Sequence, residues 1–238
     1  MKPDAGAHPR SALRSYGKLA LKVQRLAVAL AVAGLIFSGL VGSVSAAERT
    51  IKVVALGDSL TVGFQLRGSA AFPVQLEQAL KAKNFAVEVA NAGVSGDTSS
   101  GGLARLDWSV PEGTDAVILE LGANDMLRGL NPQVTRAALE EILRRLEKRH
   151  IAVLVCGMLA ARNLGEDYAR AFDPMFAELA AAHHDLLYPF FLAGVIGERT
   201  LNQRDGLHPN PAGVDVIVER ILPKVEELVG AVRGSRNQ

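Results

Sequence analysis

Four polar residues stand where they could do chemistry together: Ser59 in LGDSLTVG, Asn124 in LGAND, and Asp205 and His208 in RDGLHPN. A serine hydroxyl is a weak nucleophile at neutral pH and needs a base within hydrogen-bond reach. His208 is such a base, able to take the hydroxyl proton during attack and return it to the leaving group. Asp205, three residues earlier, can meet the other ring nitrogen in a tight turn, fixing the tautomer and stabilising the imidazolium. The negative charge of a tetrahedral intermediate then needs preorganised donors, and the Asn124 amide and the backbone of the glycine-rich stretch NAGVSGDTSSGG could supply them. The chemistry implied is acyl transfer through a serine.

Taken singly, each residue has a plainer reading. Ser59 could cap a helix that follows a strand. Gly93, Gly96, Gly101 and Gly102 could be turn residues, and their spacing is not that of a GxxxxGK[ST] phosphate loop. Asn124 could cap a helix or hold a left-handed turn, and His208 could be a solvated loop histidine. What decides between the readings is whether one scaffold brings them together.

Short apolar runs alternate with longer amphipathic segments from residue 51 onward. IKVVALG, FAVEVAN, AVILELG, IAVLVCG and LLYPF read as strands. Helices are expected over Ser69 to Lys83, Thr98 to Leu106, Pro132 to Arg149, Glu166 to His184 and Pro211 to Val229, with Asn131 capping the one that starts at Pro132. The order βαβαβαβαβα calls for a five-stranded parallel sheet with helices on both faces, a three-layer α/β/α fold. Ligands of such sheets bind beyond the carboxyl ends of the strands. Ser59, the 91–102 stretch and Asn124 follow strands one, two and three, so all three open on that rim.

The blocks GDSL at 57–60, SGDT at 95–98, GAND at 122–125 and DGLHPN at 205–210 resemble, in order and approximate spacing, the four sequence blocks of the SGNH (GDSL-type) hydrolases, closest to the bacterial periplasmic lysophospholipase, thioesterase and arylesterase group. The resemblance covers residues 51–228. It implies a flavodoxin-like sheet, a catalytic triad of Ser59, Asp205 and His208, and an oxyanion hole built from the backbone N–H of Ser59, the backbone N–H of Gly96 and the side chain of Asn124. Gly93 is the competing glycine, and SGDT favours Gly96. The short interval from Asp205 to His208, and a serine after the first strand, separate this pattern from the GxSxG elbow of α/β-hydrolases. The activity implied is hydrolysis of carboxylic esters and thioesters, with a small acyl ester or a lysophospholipid as substrate and no cofactor. The alternatives are a carbohydrate O-acetyl esterase on the same fold and a non-catalytic ligand-binding module.

An acyl group must lie beside Ser59, and Phe64, Leu66, Met126, Leu127, Met158 and Leu159 are expected to line its groove, with Ala160 and Ala161 following. That lining suits a fatty or aromatic chain, and a single tryptophan, Trp108, speaks against stacking on sugars. Asp58, Asp97 and Asp125 are expected to hold loops by hydrogen bonds. His150, His183 and His184 fall near helix C-termini and suggest no metal site.

A net charge of +1 over 238 residues points to no polyanionic partner and no nucleic acid. Cys156, the only cysteine, excludes an intrachain disulfide and reads as a core residue. The first 46 residues are of another kind: Lys2, Arg10, Arg14, Lys18, Lys22 and Arg25 precede LAVALAVAGLIFSGLVG and the small-residue exit SVSAAE. They read as a signal peptide, or an N-terminal anchor if uncleaved, the only expected link to a membrane. The hydrolase domain is expected over 48–232, with 233–238 a frayed end, in a bacterial periplasmic or secreted protein.

Overall fold

In the computed structural model, residues 49–236 are described. The expected signal segment, 1–46, lies outside them. Five strands form one sheet: β1 (Ile51–Gly57), β2 (Val87–Gly93), β3 (Ala116–Glu120), β4 (Ala152–Cys156) and β5 (Leu186–Tyr188). All neighbours are parallel and the order is β2-β1-β3-β4-β5. β1 therefore lies between β2 and β3. Because the chain winds one way from β1 to β2 and the other way on to β3, the carboxyl ends of β1 and β3 flank the topological switch point.

Nine helices complete the described residues: α1 (Ser59–Val62), α2 (Phe72–Ala82), α3 (Ser99–Ala104), α4 (Leu106–Ser109), α5 (Ala123–Leu127), α6 (Pro132–Lys148), α7 (Glu166–Phe172), α8 (Met175–Ala182) and α9 (Pro211–Arg236). α2 and α9 pack together on one face of the sheet, and α6 with α3 and α8 on the other. The central strands are buried on both sides, so β3 is inaccessible along its whole length, as a parallel strand between two helical layers must be. Phe72 of α2 meets Phe191 edge-on at 5.1 Å on one face, and Phe172 meets Phe176 at 5.4 Å on the other.

Local sequence explains most element ends. Asn131 accepts the N–H of Gln133 at 2.9 Å, capping α6 as expected. The helix expected over Glu166 to His184 is instead two, α7 and α8. Pro174 breaks it, since proline has no N–H and its ring clashes with the preceding turn. At this break the Asp173 carboxylate accepts the Ala160 N–H at 2.7 Å, beside the site described below. The segment expected over Thr98 to Leu106 likewise divides at Arg105 into α3 and α4. The last helix runs past the expected Val229 to Arg236, through residues that read as a frayed end, with Val232 buried and Arg233 stacked on the Phe85 ring at 4.8 Å. No helix of the described residues is long and apolar enough to cross a membrane.

Candidate active site

The helix-capping reading of Ser59 fails on a single contact. Asp58, not Ser59, is the N-cap of α1, its Oδ1 accepting the Leu60 N–H at 3.0 Å. Ser59 Oγ is thereby left to face the loop between β5 and α9, where it lies 2.9 Å from His208 Nε2. His208 Nδ1 lies 2.7 Å from Asp205 Oδ2. Asp205 Oδ1 accepts the backbone N–H groups of Leu207 at 2.9 Å and His208 at 3.0 Å. These bonds hold the Asp205 carboxyl down at about 2, the backbone donors first and the imidazole after them. The result is a continuous hydroxyl, imidazole and carboxylate line, the arrangement that moves a proton off a serine.

The histidine loop is fixed by residues to which sequence reading gave no role. Gln203 N donates to His208 O at 2.8 Å, and Gln203 Nε2 donates to Phe64 O at 2.8 Å and Pro209 O at 3.0 Å. A single carboxamide thus ties the base-bearing loop to the turn after the serine. Asn202 adds bonds to Val195 O and Glu198 O. The signal available was only a pair of carboxamides just ahead of DGLHPN.

Three N–H groups, one each on the segments after β1, β2 and β3, have no acceptor among the described residues. The backbone N–H groups of Ser59 and Gly96 donate to nothing among the described residues, and Asn124 Nδ2 spends one of its two N–H groups, on Asp58 Oδ2 at 2.8 Å. Gly93 is differently placed: its N–H goes to Asn91 Oδ1 at 3.0 Å, and a Cβ there would lie 2.3 Å from Val62 N. Gly96 has φ +81°, and Arg128 Nη2 donates to its carbonyl at 2.5 Å, joining the glycine loop to the turn after α5.

Behind the donors stands Arg105, another residue the sequence did not single out. It is only 6% exposed. Nε pairs with Asp97 at 2.6 Å, while Nη1 donates to Ala92 O and Nη2 to Gly57 O, both at 2.8 Å, so one cation binds the ends of β1 and β2 together. Asp97 and Asp125 do hold loops, as expected. Asp125, fully buried, accepts Ser99 N at 2.8 Å and Thr135 Oγ1 at 3.1 Å. Cys156 is buried and its thiol is pushed up by burial and then by Glu120.

Beside Ser59 and His208 opens a cavity of about 470 Å³. Asn124, Met126, Leu127, Met158 and Leu159 line it, with Ala160, Ala161, Leu192 and Ile196. Met158 is buried, whereas Leu127 and Leu159 are exposed at the mouth. Phe64 and Leu66 do not line it, which corrects the expectation for them. The left-handed turn at Gly63 and Gln65 carries the chain away after α1. Phe64 then packs on the His208 ring at 4.6 Å, tilted by 39°, and Leu66 packs against the core. Gly96 is likewise not part of the lining. Among the described residues no cluster of His, Cys, Asp and Glu could hold a metal ion.

A parallel sheet with a serine, an imidazole and a carboxylate at its switch point defines a serine ester hydrolase of the SGNH type. The chain belongs to the GDSL-like lipase/acylhydrolase family, whose model matches residues 55–216. Among its relatives is esterase TesA of Pseudomonas aeruginosa, 36% identical over 185 residues, 77% of this chain and 91% of that protein. Another is thioesterase 1/protease 1/lysophospholipase L1 of Escherichia coli K12, 35% identical over 178 residues, 74% of this chain and 84% of that protein. The crystal structure of the SGNH-hydrolase family esterase AlinE4 is 38% identical with a TM-score of 0.64, covering 75% of this chain and 96% of that one.

Proposed function

We propose that Ser59 attacks the acyl carbon of carboxylic esters and thioesters, with His208 as general base and then general acid, and Asp205 orienting the imidazole. The observation that carries this reading is the 2.9 Å contact between Ser59 Oγ and His208 Nε2 across the sheet's switch point. As Ser59 Oγ bonds to the carbonyl carbon, its proton passes to Nε2 and the carbonyl oxygen takes the negative charge. The N–H groups of Ser59 and Gly96 and the second N–H of Asn124 stabilise that oxygen, each donor worth on the order of 3 kcal/mol. Collapse expels the alcohol or thiol with the proton from His208, leaving an acyl-enzyme, and water repeats the sequence to release the acid.

The apolar groove selects esters of fatty or aromatic acids, lysophospholipids among them, over acetylated sugars. Residues 1–46 export the protein to the periplasm or beyond. Labelling of the purified protein with a fluorophosphonate, followed by peptide mapping, tests the mechanism: the adduct is expected on Ser59 and is expected to form far more slowly in His208→Ala. An adduct elsewhere, or an unchanged rate in that variant, would overturn it. A panel of p-nitrophenyl esters beside an acetylated glycan tests the substrate class, since preference for acetate with glycan deacetylation would favour the carbohydrate esterase reading.

A further inference from the structure

Glu120 is the fully buried last residue of β3, in a strand that otherwise reads AVIL. Oε2 accepts Thr61 Oγ1 at 2.7 Å and, more weakly, the Asp58 N–H at 3.4 Å, while Oε1 has no hydrogen-bond partner. Gly57 is shaped around this group: a Cβ there would lie 2.0 Å from Thr61 Oγ1 and 2.7 Å from Glu120 Oε2. Asp58, also fully buried, adjoins Glu120 through that backbone N–H. Neither carboxyl has a cation partner among the described residues. The Arg105 guanidinium reaches Gly57 O but pairs with Asp97.

Donor counting assigns the charge. Asp58 uses both oxygens as acceptors, Oδ1 for Leu60 N–H and Oδ2 for Asn124 Nδ2, as an ionised carboxylate does. Two adjacent buried carboxylates without a cation do not both ionise, so the proton belongs to Glu120, whose Oε1 is otherwise orphaned. We propose that Asp58 and Glu120 are a proton-sharing pair that positions the oxyanion donor: neutral Glu120 keeps Asp58 ionised, and Asp58 holds one N–H of Asn124 so that the other points at the substrate oxygen. Burial raises both groups, Asp58 to about 6 with Leu60 N–H, Asn124, Glu120 and then His208 opposing, and Glu120 well above the carboxylate range. The other titratable group facing Glu120 is the Cys156 thiol of β4.

Both residues act through Asn124 and are positioning residues. The inference rests on the role proposed for Asn124. Asn at position 58 has one acceptor oxygen for two donors, so in Asp58→Asn one of Leu60 N–H and Asn124 Nδ2 must meet an amide donor. Kinetics on p-nitrophenyl butyrate, with kcat and KM separated, are expected to show kcat down about 10- to 100-fold and KM within about threefold for Asp58→Asn. Glu120→Met, which fills the space without a donor, is expected to lower kcat at least tenfold with an unchanged or higher Tm. Glu120→Gln, which restores both a donor and an acceptor, is expected to recover most of that loss. In an Asn124→Ala background Asp58→Asn is expected to cost less than about threefold more, because the group it positions is gone.

Wild-type hydrolysis and labelling at Ser59 are the control: their failure removes the function proposed above. With an active wild type, full additivity of Asp58→Asn and Asn124→Ala, or a loss carried by KM, or a Glu120→Met loss that tracks falling Tm, overturns the pairing alone.

Discussion

Asp205 receives the backbone N–H of His208 on one carboxylate oxygen and faces the imidazole of that same residue with the other, at 3.0 and 2.7 Å. The carboxylate therefore builds the turn that presents the imidazole. It also stays ionised down to about 2, so the acid limb of a pH–rate profile does not belong to it.

Asp205→Asn keeps the size of the side chain but offers one acceptor oxygen where two are used. kcat is expected to fall by about 10² to 10⁴, with KM little changed. Because the side chain is 38% exposed, Tm is expected to move little. Steady-state kinetics beside thermal unfolding separate the two effects, and an unchanged kcat would refute the assignment.

Phe64 and the groove residues are expected to behave differently. Phe64→Ala removes the ring that packs on His208 and is expected to lower kcat about three- to tenfold for every chain length alike. Ala160→Trp fills the groove wall. It is expected to lower kcat/KM for a decanoyl ester at least tenfold while sparing butyrate, since each buried methylene is worth about 0.8 kcal/mol. A chain-length series on both variants checks the contrast.

Gly96→Ala tests backbone conformation rather than space. The nearest atom to an added Cβ is Arg128 Nη2 at 3.6 Å, but φ is +81°, so the substitution is expected to cost about 1 kcal/mol in stability. If the 96 N–H is an oxyanion donor, kcat is expected to fall by about 10- to 1,000-fold as well. Loss of stability with kcat intact would leave Gly96 a turn residue.

The pH dependence of stability should carry the mark of Asp185. Burial lifts its carboxyl from 3.8 to about 7, against the opposing pull of His183 and with a smaller push from Glu147. A carboxyl that holds its proton more tightly when folded stabilises the protein at low pH, and that contribution is lost as pH rises from about 4 to 7. Asp205 runs the other way, its contribution fading as pH falls from 3.8 toward 2. Asp185→Asn is therefore expected to raise Tm at pH 8 relative to pH 5 by comparison with the wild type, and unfolding curves at both pH values decide it.

Sequence pattern reached the fold and the reacting residues by different routes. Apolar runs such as IAVLV and caps such as Asn131 are local, so the strands and α6 appear where periodicity puts them. The contact of Ser59, His208 and Asp205 is legible because three motif blocks follow the first three strands and a fourth precedes the last helix. What escaped were residues whose roles come from tertiary contact: Arg105 and Gln203 look like ordinary helix and loop residues, and Glu120 looks like a blemish in an apolar strand. Phe64 and Leu66 were misplaced because two left-handed residues redirect the chain, and only Gly63 hinted at it.

The break at Pro174 sets one wall of the groove. Asp173, at that break, anchors Ala160 from outside the cavity lining. The substrate range of this scaffold can therefore drift through changes in the outer helical layer, with every residue that touches the acyl chain left as it is. A comparison of such enzymes by pocket residues alone would miss that inheritance.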